Sequence, residues 1–328
     1  MKNKFTEMVK VFLYFLSAKI RLKSILLSVK FLYNLMPSNN ITLLLINLFD
    51  PNSIRRKVPS KITLTKVKLQ TSEGTRYDLE LNEHVDWVTF INNTFDNLHK
   101  NLLEYLISKS GRNWNFIDVG ANFGSVAIPI AKTSNVIAFE PQLELFNRLV
   151  KHAEINGCQN IKIENFALSS EKIVQNCGGR LTLYKPRGNS GATSFRPDWN
   201  PSLSAAEHLN VEVTTFDRYT QTFCHFSNTD LFLVKIDVEG GELDVIQGAI
   251  KFITEFKPII VLEFRKFLLK EKSVELLKYL SKISNYNINE ISYQKSSKAI
   301  ILKKFNPYHS SFELALIPKD KMFYFNSD

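Results

Sequence analysis

The 328-residue sequence predicts an α/β fold built on a doubly wound, mostly parallel sheet. Apolar runs alternate with amphipathic segments through the middle of the chain, as strands alternate with helices. The run over 231–237 is almost continuously apolar, as expected for a parallel strand buried on both faces. Around position 120, glycines join an apolar run to an amphipathic segment, which is typical of the βα turn in a nucleotide-binding unit.

The first 60 residues form an extension in front of the predicted domain. Residues 1–50 carry apolar clusters separated by single cations, which predicts a basic amphipathic helical extension. Residues 51–60 form a polar linker that includes Pro51 and Pro59. We expect one domain over residues 61–328, in which 61–110 precede a sheet core over 114–328.

The basic charge is concentrated in this extension. The formal net charge is +10, and residues 1–70 contain 13 Lys and Arg against 2 Asp and Glu. The remaining residues contain 29 basic and 30 acidic groups, so the core is nearly neutral and we expect no nucleic-acid partner. The extension predicts peripheral contact with an anionic membrane surface. The alternative is a helical lid that buries its apolar stripe on the domain.

Two further observations indicate the compartment. No apolar run in the extension approaches the roughly 20 residues needed to span a bilayer, and no signal peptide is expected. The three cysteines match neither a disulfide framework nor a zinc site and are expected to be reduced thiols, namely Cys158, Cys177 and Cys224. The expected location is therefore the cytoplasm, with or without membrane contact.

The predicted domain opens with a hairpin and a helix. Alternating apolar residues over 62–70 and 76–81 flank Glu73-Gly74 and predict a β-hairpin. Apolar residues at three- and four-residue spacing then predict one helix over 84–109.

The elements of the sheet core follow in order. Strands are predicted over 115–119, 136–140, 161–166, 211–215, 231–237, 258–264, 286–293 and 312–317. Helices are predicted over 125–132, 142–156, 243–256 and 271–283. Residues 168–210 are rich in Gly, Ser, Asn and Pro, and an insertion of this composition predicts a lid or substrate loop.

The acid before the glycine loop indicates the kind of nucleotide. Asp118 lies two residues before Gly120 in a Gly120-x-x-x-Gly124 loop. A carboxylate there would repel a pyrophosphate but suits the ammonium and sulfonium of S-adenosylmethionine. Glu140 ends the next strand, where it can accept hydrogen bonds from two ribose hydroxyls. The alternative is an ordinary βα turn with a buried Asp.

A second group of acids lies at the end of the strand over 231–237 and just after it. Alternation places Lys235, Asp237 and Glu239 on one side, at the sheet edge where Asp118 and Glu140 also end. A carboxylate there can take a proton from a substrate hydroxyl or position it for attack on a methyl group. The alternatives are acids that stabilise a helix N-terminus, above all Glu242, or a divalent-metal site that also draws on Glu263. We expect no catalytic metal.

These motifs resemble the FkbM family of S-adenosylmethionine-dependent methyltransferases over residues 114–265. The matching strings are Phe116-Ile-Asp-Val-Gly-Ala-Asn-Phe-Gly124, Ala138-Phe-Glu-Pro141, Asn165-Phe-Ala-Leu-Ser169, Val213-Thr-Thr-Phe-Asp217, Val234-Lys-Ile-Asp-Val-Glu-Gly-Gly-Glu242, Gly248-Ala249 and Lys257-Pro-Ile-Ile-Val-Leu-Glu263. The resemblance implies a class I methyltransferase sheet of seven strands. It also implies O-methylation of a hydroxyl on a sugar in a glycan, glycolipid or natural product.

The resemblance assigns roles by position. The methionine moiety would lie against Asp118, Gly120 and Asn122, the ribose against Glu140, and the adenine near Ala167 and Leu168. Asp237 and Glu239 would face the transferred methyl group as catalytic residues. The expected cofactor site comprises Asp118, Gly120, Ala121, Asn122, Gly124, Glu140, Pro141, Ala167, Leu168 and Asp237, and no metal ligand.

Other functions stay open at this point. An NAD-dependent sugar-modifying enzyme would usually carry a third glycine, which this loop lacks. A nucleic-acid methyltransferase acting on base nitrogens tends to carry Asn/Asp-Pro-Pro-aromatic where this chain has Asp237-Val-Glu-Gly. Another small-molecule methyltransferase and a non-enzymatic membrane-associated binding protein are the remaining alternatives.

Overall fold

A computed structural model describes most of the chain after residue 65. The described residues are 66–80, 83–94, 97–186, 189–198, 206–265, 270–280, 282–283, 285–294, 297, 299–306 and 311–325. The predicted helical extension over 1–50 and the linker over 51–60 lie outside these residues. No helix in the described ranges combines the length and apolar character needed to cross a membrane.

The elements follow the predicted alternation. The strands are β1 (Lys66–Gln70), β2 (Arg76–Glu80), β3 (Asn115–Val119), β4 (Val136–Phe139), β5 (Ile161–Glu164), β6 (Ala167–Leu168), β7 (Arg180–Lys185), β8 (Glu207–Thr214), β9 (Phe232–Ile236), β10 (Ile259–Arg265), β11 (Tyr286–Gln294), β12 (Ala299–Lys304) and β13 (Ser311–Pro318). The helices are α1 (His84–Asn92), α2 (Leu98–Ser110), α3 (Ala127–Ala131), α4 (Leu143–Asn156), α5 (Glu171–Asn176), α6 (Phe216–Phe223), α7 (Glu242–Gln247), α8 (Ile250–Phe256) and α9 (Lys270–Leu280).

The central sheet has eight strands in the order β12-β11-β13-β10-β9-β3-β4-β5, so the expectation of seven strands is wrong. The pairs from β10 through β9, β3 and β4 to β5 are parallel. The pairs β10–β13, β13–β11 and β11–β12 are antiparallel. The additional strand, β12, is an edge strand of six residues whose sequence AIILKK ends in two exposed lysines. Its first four residues are apolar without alternation, so a period-2 pattern did not predict it.

Helices cover both faces of the sheet. This is required because successive side chains of β3 and β9 point to opposite faces and are apolar on both. Phe116 and Leu233 point into one apolar core, which also contains residues of the hairpin, α2, α3 and α4. Ile117 and Val234 point into the other core, with residues of α6, α7, α8 and α9. Burial of both faces is the main favourable term in folding such a sheet.

Two predicted helices are each divided into two. The helix expected over 84–109 ends at Asn93, whose left-handed backbone (φ 62) stops α1 before α2 begins. The helix expected over 243–256 becomes α7 and α8, with Gly248 between them. A Cβ at Gly248 would lie 2.0 Å from the carbonyl oxygen of Ser169, so only glycine lets α7 pack this closely on that segment.

The predicted hairpin, β1–β2, is joined to the glycine loop through His152 of α4. The backbone N–H of Asp78 in β2 donates to Nε2 of His152 at 3.0 Å. Nδ1 of His152 lies 2.8 Å from the carbonyl oxygen of Phe123, which follows Asn122 in the loop. Because Nε2 accepts, the neutral ring carries its proton on Nδ1 and donates it to Phe123.

The insertion over 168–210 forms a second, smaller sheet, and the strand predicted over 211–215 belongs to this sheet and not to the central one. Its strands run in the order β6-β8-β7, parallel between β6 and β8 and antiparallel between β7 and β8. Between β7 and β8, residues 189–196 form a short segment that includes a 3-10 turn at Ser190–Ala192. We call residues 189–196 the strap.

Candidate active site

A cavity of about 350 Å³ opens at the carboxyl ends of β3, β4, β9 and β10. This is the edge where open α/β sheets bind their ligands. Its lining includes most of the predicted site residues, namely Gly120, Ala121, Asn122, Glu140, Pro141, Ala167, Leu168, Asp237 and Glu239. Asp118 and Gly124 are not part of the lining.

Glycine is required at the two loop positions for different structural reasons. Gly120 has φ 86, and a Cβ there would lie 2.0 Å from the backbone oxygen of Asp237. Gly124 has φ 89, and a Cβ there would lie 2.3 Å from Cδ1 of Leu149 in α4. Gly120 therefore permits contact between the loop and β9, whereas Gly124 permits packing on α4. Gly120 lines the cavity, whereas Gly124 does not.

Glu140 is buried and already oriented by the backbone. Its Oε2 accepts the N–H of Asn122 and its Oε1 accepts the N–H of Gln142, both at 2.8 Å. Burial raises the pKa of Glu140 to about 7, although these two hydrogen bonds act to lower it. Each carboxylate oxygen keeps a second lone pair. Glu140 therefore has acceptor capacity left for two hydroxyl groups.

Asp118 lies behind the cavity lining rather than in it. The carboxyl group is fully buried, and Oδ1 accepts a hydrogen bond from Nζ of Lys235 at 3.1 Å. Oδ2 has no hydrogen-bond donor in the described part of the chain. Burial raises the pKa of Asp118, and the neighbouring Lys235 opposes that shift. Asp118 therefore does not line this cavity directly.

Three acids of the opposite wall come close together. One carboxylate oxygen from each of Asp237, Glu239 and Glu263 lies within 4.8 Å of the others. Asp237 has a side chain 33% exposed, and Glu239 is buried with a left-handed backbone (φ 49) just after β9. The sequence predicts these three acids at one edge of the sheet. Their spacing is one that the oxygen ligands of a divalent cation adopt.

A further acid of the cavity lining, Glu313, was missed by the sequence reasoning. It lies opposite Glu263 in the antiparallel pairing of β10 with β13 and lines the cavity. β13 was predicted from alternation alone, and no motif marks Glu313; only the register of the strand pair identifies it. Glu242, by contrast, accepts the N–H of Gly240 at 3.0 Å at the start of α7, the helix-terminal alternative. Burial raises the pKa of Glu242 to about 7.

The strap covers the cavity and is attached at both ends. The N–H of Ser190 donates to Oε2 of Glu83 at 2.7 Å. Oγ of Ser194 donates to the carbonyl oxygen of Glu239 at 2.6 Å, and Nε of Arg196 donates to that of Gly240 at 2.7 Å. The strap therefore joins the start of α1 to the turn after β9. The Gly-Asn-Ser-rich composition of residues 188–194 was the only sequence signal for it.

Residues 118–288, just over half of the 328 residues, match the family profile described as the methyltransferase FkbM domain. No curated protein sequence matches the chain. Among solved structures, the chain is similar to the FkbM methyltransferase of Methylobacillus flagellatus KT, with 17% identity and a TM-score of 0.37, over 71% of this chain and 52% of that one.

Two other solved structures show similarity at the same level. Precorrin-6y C5,15-methyltransferase from Geobacter metallireducens GS-15 is 12% identical with a TM-score of 0.32, over 66% of this chain and 85% of that one. M. jannaschii TYW2 in complex with AdoMet is 13% identical with a TM-score of 0.32, over 77% of this chain and 84% of that one. The chain spans about half the length of the Methylobacillus protein. On the profile match over 118–288, the chain belongs to the FkbM methyltransferase domain family.

Proposed function

We propose that this protein is an S-adenosylmethionine-dependent O-methyltransferase that methylates a sugar hydroxyl in a glycan, glycolipid or natural product. The observation that carries the proposal is one cavity with Glu140 on one wall and Asp237 on the other. The family membership supports methyl transfer. The positions of the two carboxylates support a division of the cavity into a cofactor side, at Glu140, and an acceptor side, at Asp237.

The residues of the cofactor side fit S-adenosylmethionine, which supplies an electrophilic methyl group. Glu140 would hold the ribose hydroxyls with the lone pairs that Asn122 and Gln142 leave available. Ala167 and Leu168 would lie along the adenine, as parts of the apolar lining. The buried Oδ2 of Asp118, which has no donor in the described residues, fits a nearby cation or a bridging water.

The acceptor side would activate the hydroxyl. A sugar hydroxyl is a weak nucleophile at neutral pH, so it gains from a carboxylate that accepts its hydrogen bond and then its proton. Asp237 is partly exposed within the cavity, and Glu239 lies beside it. The strap, through Asn189, Thr193 and Phe195, completes the wall around the acceptor and would exclude water.

The test is a methyl-transfer screen with S-[methyl-14C]adenosylmethionine and separate glycan, glycolipid and RNA fractions as acceptors. We expect label in a glycan or glycolipid fraction, and Asp237→Asn should lower its rate by about 10²–10⁴ with cofactor affinity changed less than about tenfold. Glu239→Gln should have the same or a smaller effect. Glu104→Gln, an exposed change on α2, is the matched control. Label confined to RNA, or full activity in both variants, would contradict the proposal.

The location and the membrane contact are further parts of the proposal. Cys158, Cys177 and Cys224 are free thiols, in keeping with a reducing cytoplasm. The basic charge of residues 1–70 supports peripheral binding to an anionic membrane, where a lipid-linked acceptor would also be concentrated.

A further inference from the structure

Gln142 connects the cofactor side of the cavity to the strap. It is the N-cap residue of α4, it is 6% exposed, and it lines the cavity. The side chain of an N-cap residue usually accepts a hydrogen bond from the first turn of its own helix, but that of Gln142 makes no such bond. A buried amide group needs partners, so the partners that it has elsewhere show what this side chain does.

Both ends of this amide group contact the strap. Nε2 of Gln142 donates to the carbonyl oxygen of Ser190 at 3.2 Å. Oγ1 of Thr193 lies 3.2 Å from Oε1 of Gln142 and 2.7 Å from the same carbonyl oxygen, so its one hydrogen is directed at these two acceptors. The three groups form a closed ring. Because a carbonyl oxygen only accepts, the NH2 end of the amide has to face Ser190, which fixes the orientation of the side chain.

The backbone of the same residue contacts the cofactor side. The N–H of Gln142 donates to Oε1 of Glu140 at 2.8 Å. The other carboxylate oxygen of Glu140 accepts the N–H of Asn122 in the glycine loop. Gln142 therefore joins the carboxylate proposed to hold the ribose to the segment that covers the cavity.

The strap extends from the cofactor side to the acceptor side. Its first part packs on α1, where a Cβ at Gly191 would lie 2.7 Å from a side chain of that helix. Its later part is held on the turn after β9 by Ser194. Thr193 and Phe195, the neighbours of Ser194, line the cavity. A strap held by Gln142 thus has these two side chains in the wall around the acceptor.

We propose that Gln142 is a positioning residue that couples cofactor binding at Glu140 to the strap, and through the strap to binding of the acceptor. This rests on the proposed function, in which the ribose hydroxyls bind Glu140. Hydrogen bonds from the ribose restrict Glu140 and, through the N–H of Gln142, the amide group that holds the strap. The acceptor then binds to a strap that is already ordered, so less conformational entropy is lost. The coupling is reciprocal, and the acceptor strengthens cofactor binding by the same factor.

The first test needs no acceptor. Hydrogen exchange, measured by mass spectrometry, follows a peptide that covers residues 189–196 with and without S-adenosylhomocysteine. In the wild type this ligand should slow exchange of the peptide by about fivefold or more, which is a coupling of ordinary size. Gln142→Met keeps the backbone N–H to Glu140 and nearly the same volume but cannot form the ring. The slowing should therefore fall below about twofold, while calorimetry still detects binding of S-adenosylhomocysteine.

Thr193→Val repeats this test from the strap. It removes the hydroxyl from the ring and leaves Glu140 and Gln142 in place, so it gives the answer even where Gln142→Met disturbs the fold. The slowing should be smaller than in the wild type. Gln175→Met and Thr182→Val, on exposed hydrogen bonds outside the cavity lining, are the matched controls and should keep the full slowing.

The ratio of exchange rates with and without S-adenosylhomocysteine separates coupling from mere support. A purely structural role would raise both rates and leave their ratio unchanged. A wild-type ratio that persists in Gln142→Met or in Thr193→Val would overturn the proposal, as would a ratio of one in a wild-type protein that binds the ligand.

The second test measures turnover with S-[methyl-14C]adenosylmethionine and the glycan or glycolipid fraction that accepts label. In the wild type the KM for the acceptor should fall by about fivefold or more as the cofactor concentration rises. In Gln142→Met it should stay within about twofold over the same range. An equal dependence in variant and wild type would contradict the coupling. Failure of the proposed function would show differently, as a wild-type protein that binds no S-adenosylhomocysteine or transfers label to neither fraction.

Discussion

Replacing Glu140 with glutamine should remove the pH dependence that this buried carboxyl group gives to the stability of the fold, while it weakens cofactor binding. Burial raises the pKa of Glu140 from 4.5 to about 7. In the unfolded chain this carboxyl group would titrate near its ordinary pKa of about 4.3. A folded pKa above the unfolded one means that the stability from the neutral form is complete below about pH 4.5 and is lost as the pH rises towards 7.

The size of the effect follows from the difference in pKa. About 2.5 units at about 1.36 kcal/mol each correspond to about 3 kcal/mol of unfolding free energy lost by pH 8. In Glu140→Gln the new side chain would keep one acceptor oxygen in the same volume and could not ionise, while its NH2 group would face one of the two backbone N–H donors, a cost that does not depend on pH. The difference in stability between variant and wild type should therefore move by about 3 kcal/mol in favour of the variant between pH 4.5 and pH 8. Glu242 titrates in the same range, but it is common to both proteins and cancels.

Urea unfolding at several pH values, with calorimetric titration of S-adenosylmethionine at pH 8, measures both effects. We expect the affinity to fall by about 1.5–3 kcal/mol, as the ionised acceptor for the ribose hydroxyls is lost. Glu104→Gln, on a side chain 57% exposed, serves as the control. A stability difference that does not change with pH would refute the buried charge. Unchanged affinity would refute the role of Glu140 in the cofactor site.

Three further outcomes are expected. Gly120→Ala should lower both the unfolding free energy and cofactor affinity in calorimetry, because a Cβ would lie 2.0 Å from the backbone oxygen of Asp237; normal values for both would contradict that contact. Deletion of residues 1–50 should leave cofactor affinity nearly intact but reduce salt-dependent sedimentation with anionic liposomes; a full-length protein that ignores liposomes would favour the lid instead. A divalent chelator should not change turnover; loss restored by magnesium would make Asp237, Glu239 and Glu263 metal ligands.

The parallel part of the fold follows closely from local pattern. β9 reads FLVKI and is buried at every position, so a run of apolar residues sufficed to predict it. The breaks within helices did not follow from pattern, because they depend on distant contacts. Gly248 separates α7 from α8 through its approach to Ser169, about 80 residues earlier in the chain. β12, an edge strand, was missed because its AIIL run does not alternate.

The candidate site shows the same division. The convergence of Glu140, Asp237 and Glu239 could be predicted, because the carboxyl ends of parallel strands share one edge. The burial of each side chain relative to the cavity could not be predicted, because it depends on how other elements pack against it. Asp118 is fully buried outside the cavity lining, where it accepts a hydrogen bond from Lys235. The cover by Ser190 and Ser194 depends on tertiary hydrogen bonds that no local motif encodes.

The bridge through His152 sets a limit on how far this protein can be shortened. The residues that match the family profile begin at 118, yet the glycine loop is supported from outside them, by a ring whose other nitrogen is held by Asp78 of the hairpin. A fragment trimmed to the matched residues would leave His152 with an unfilled acceptor and would free one side of Phe123. Because β2 pairs with β1, we expect a fragment that keeps this support of the glycine loop to begin no later than Lys66. The hairpin is therefore a structural support of the glycine loop, although it lies outside the residues that match the family profile.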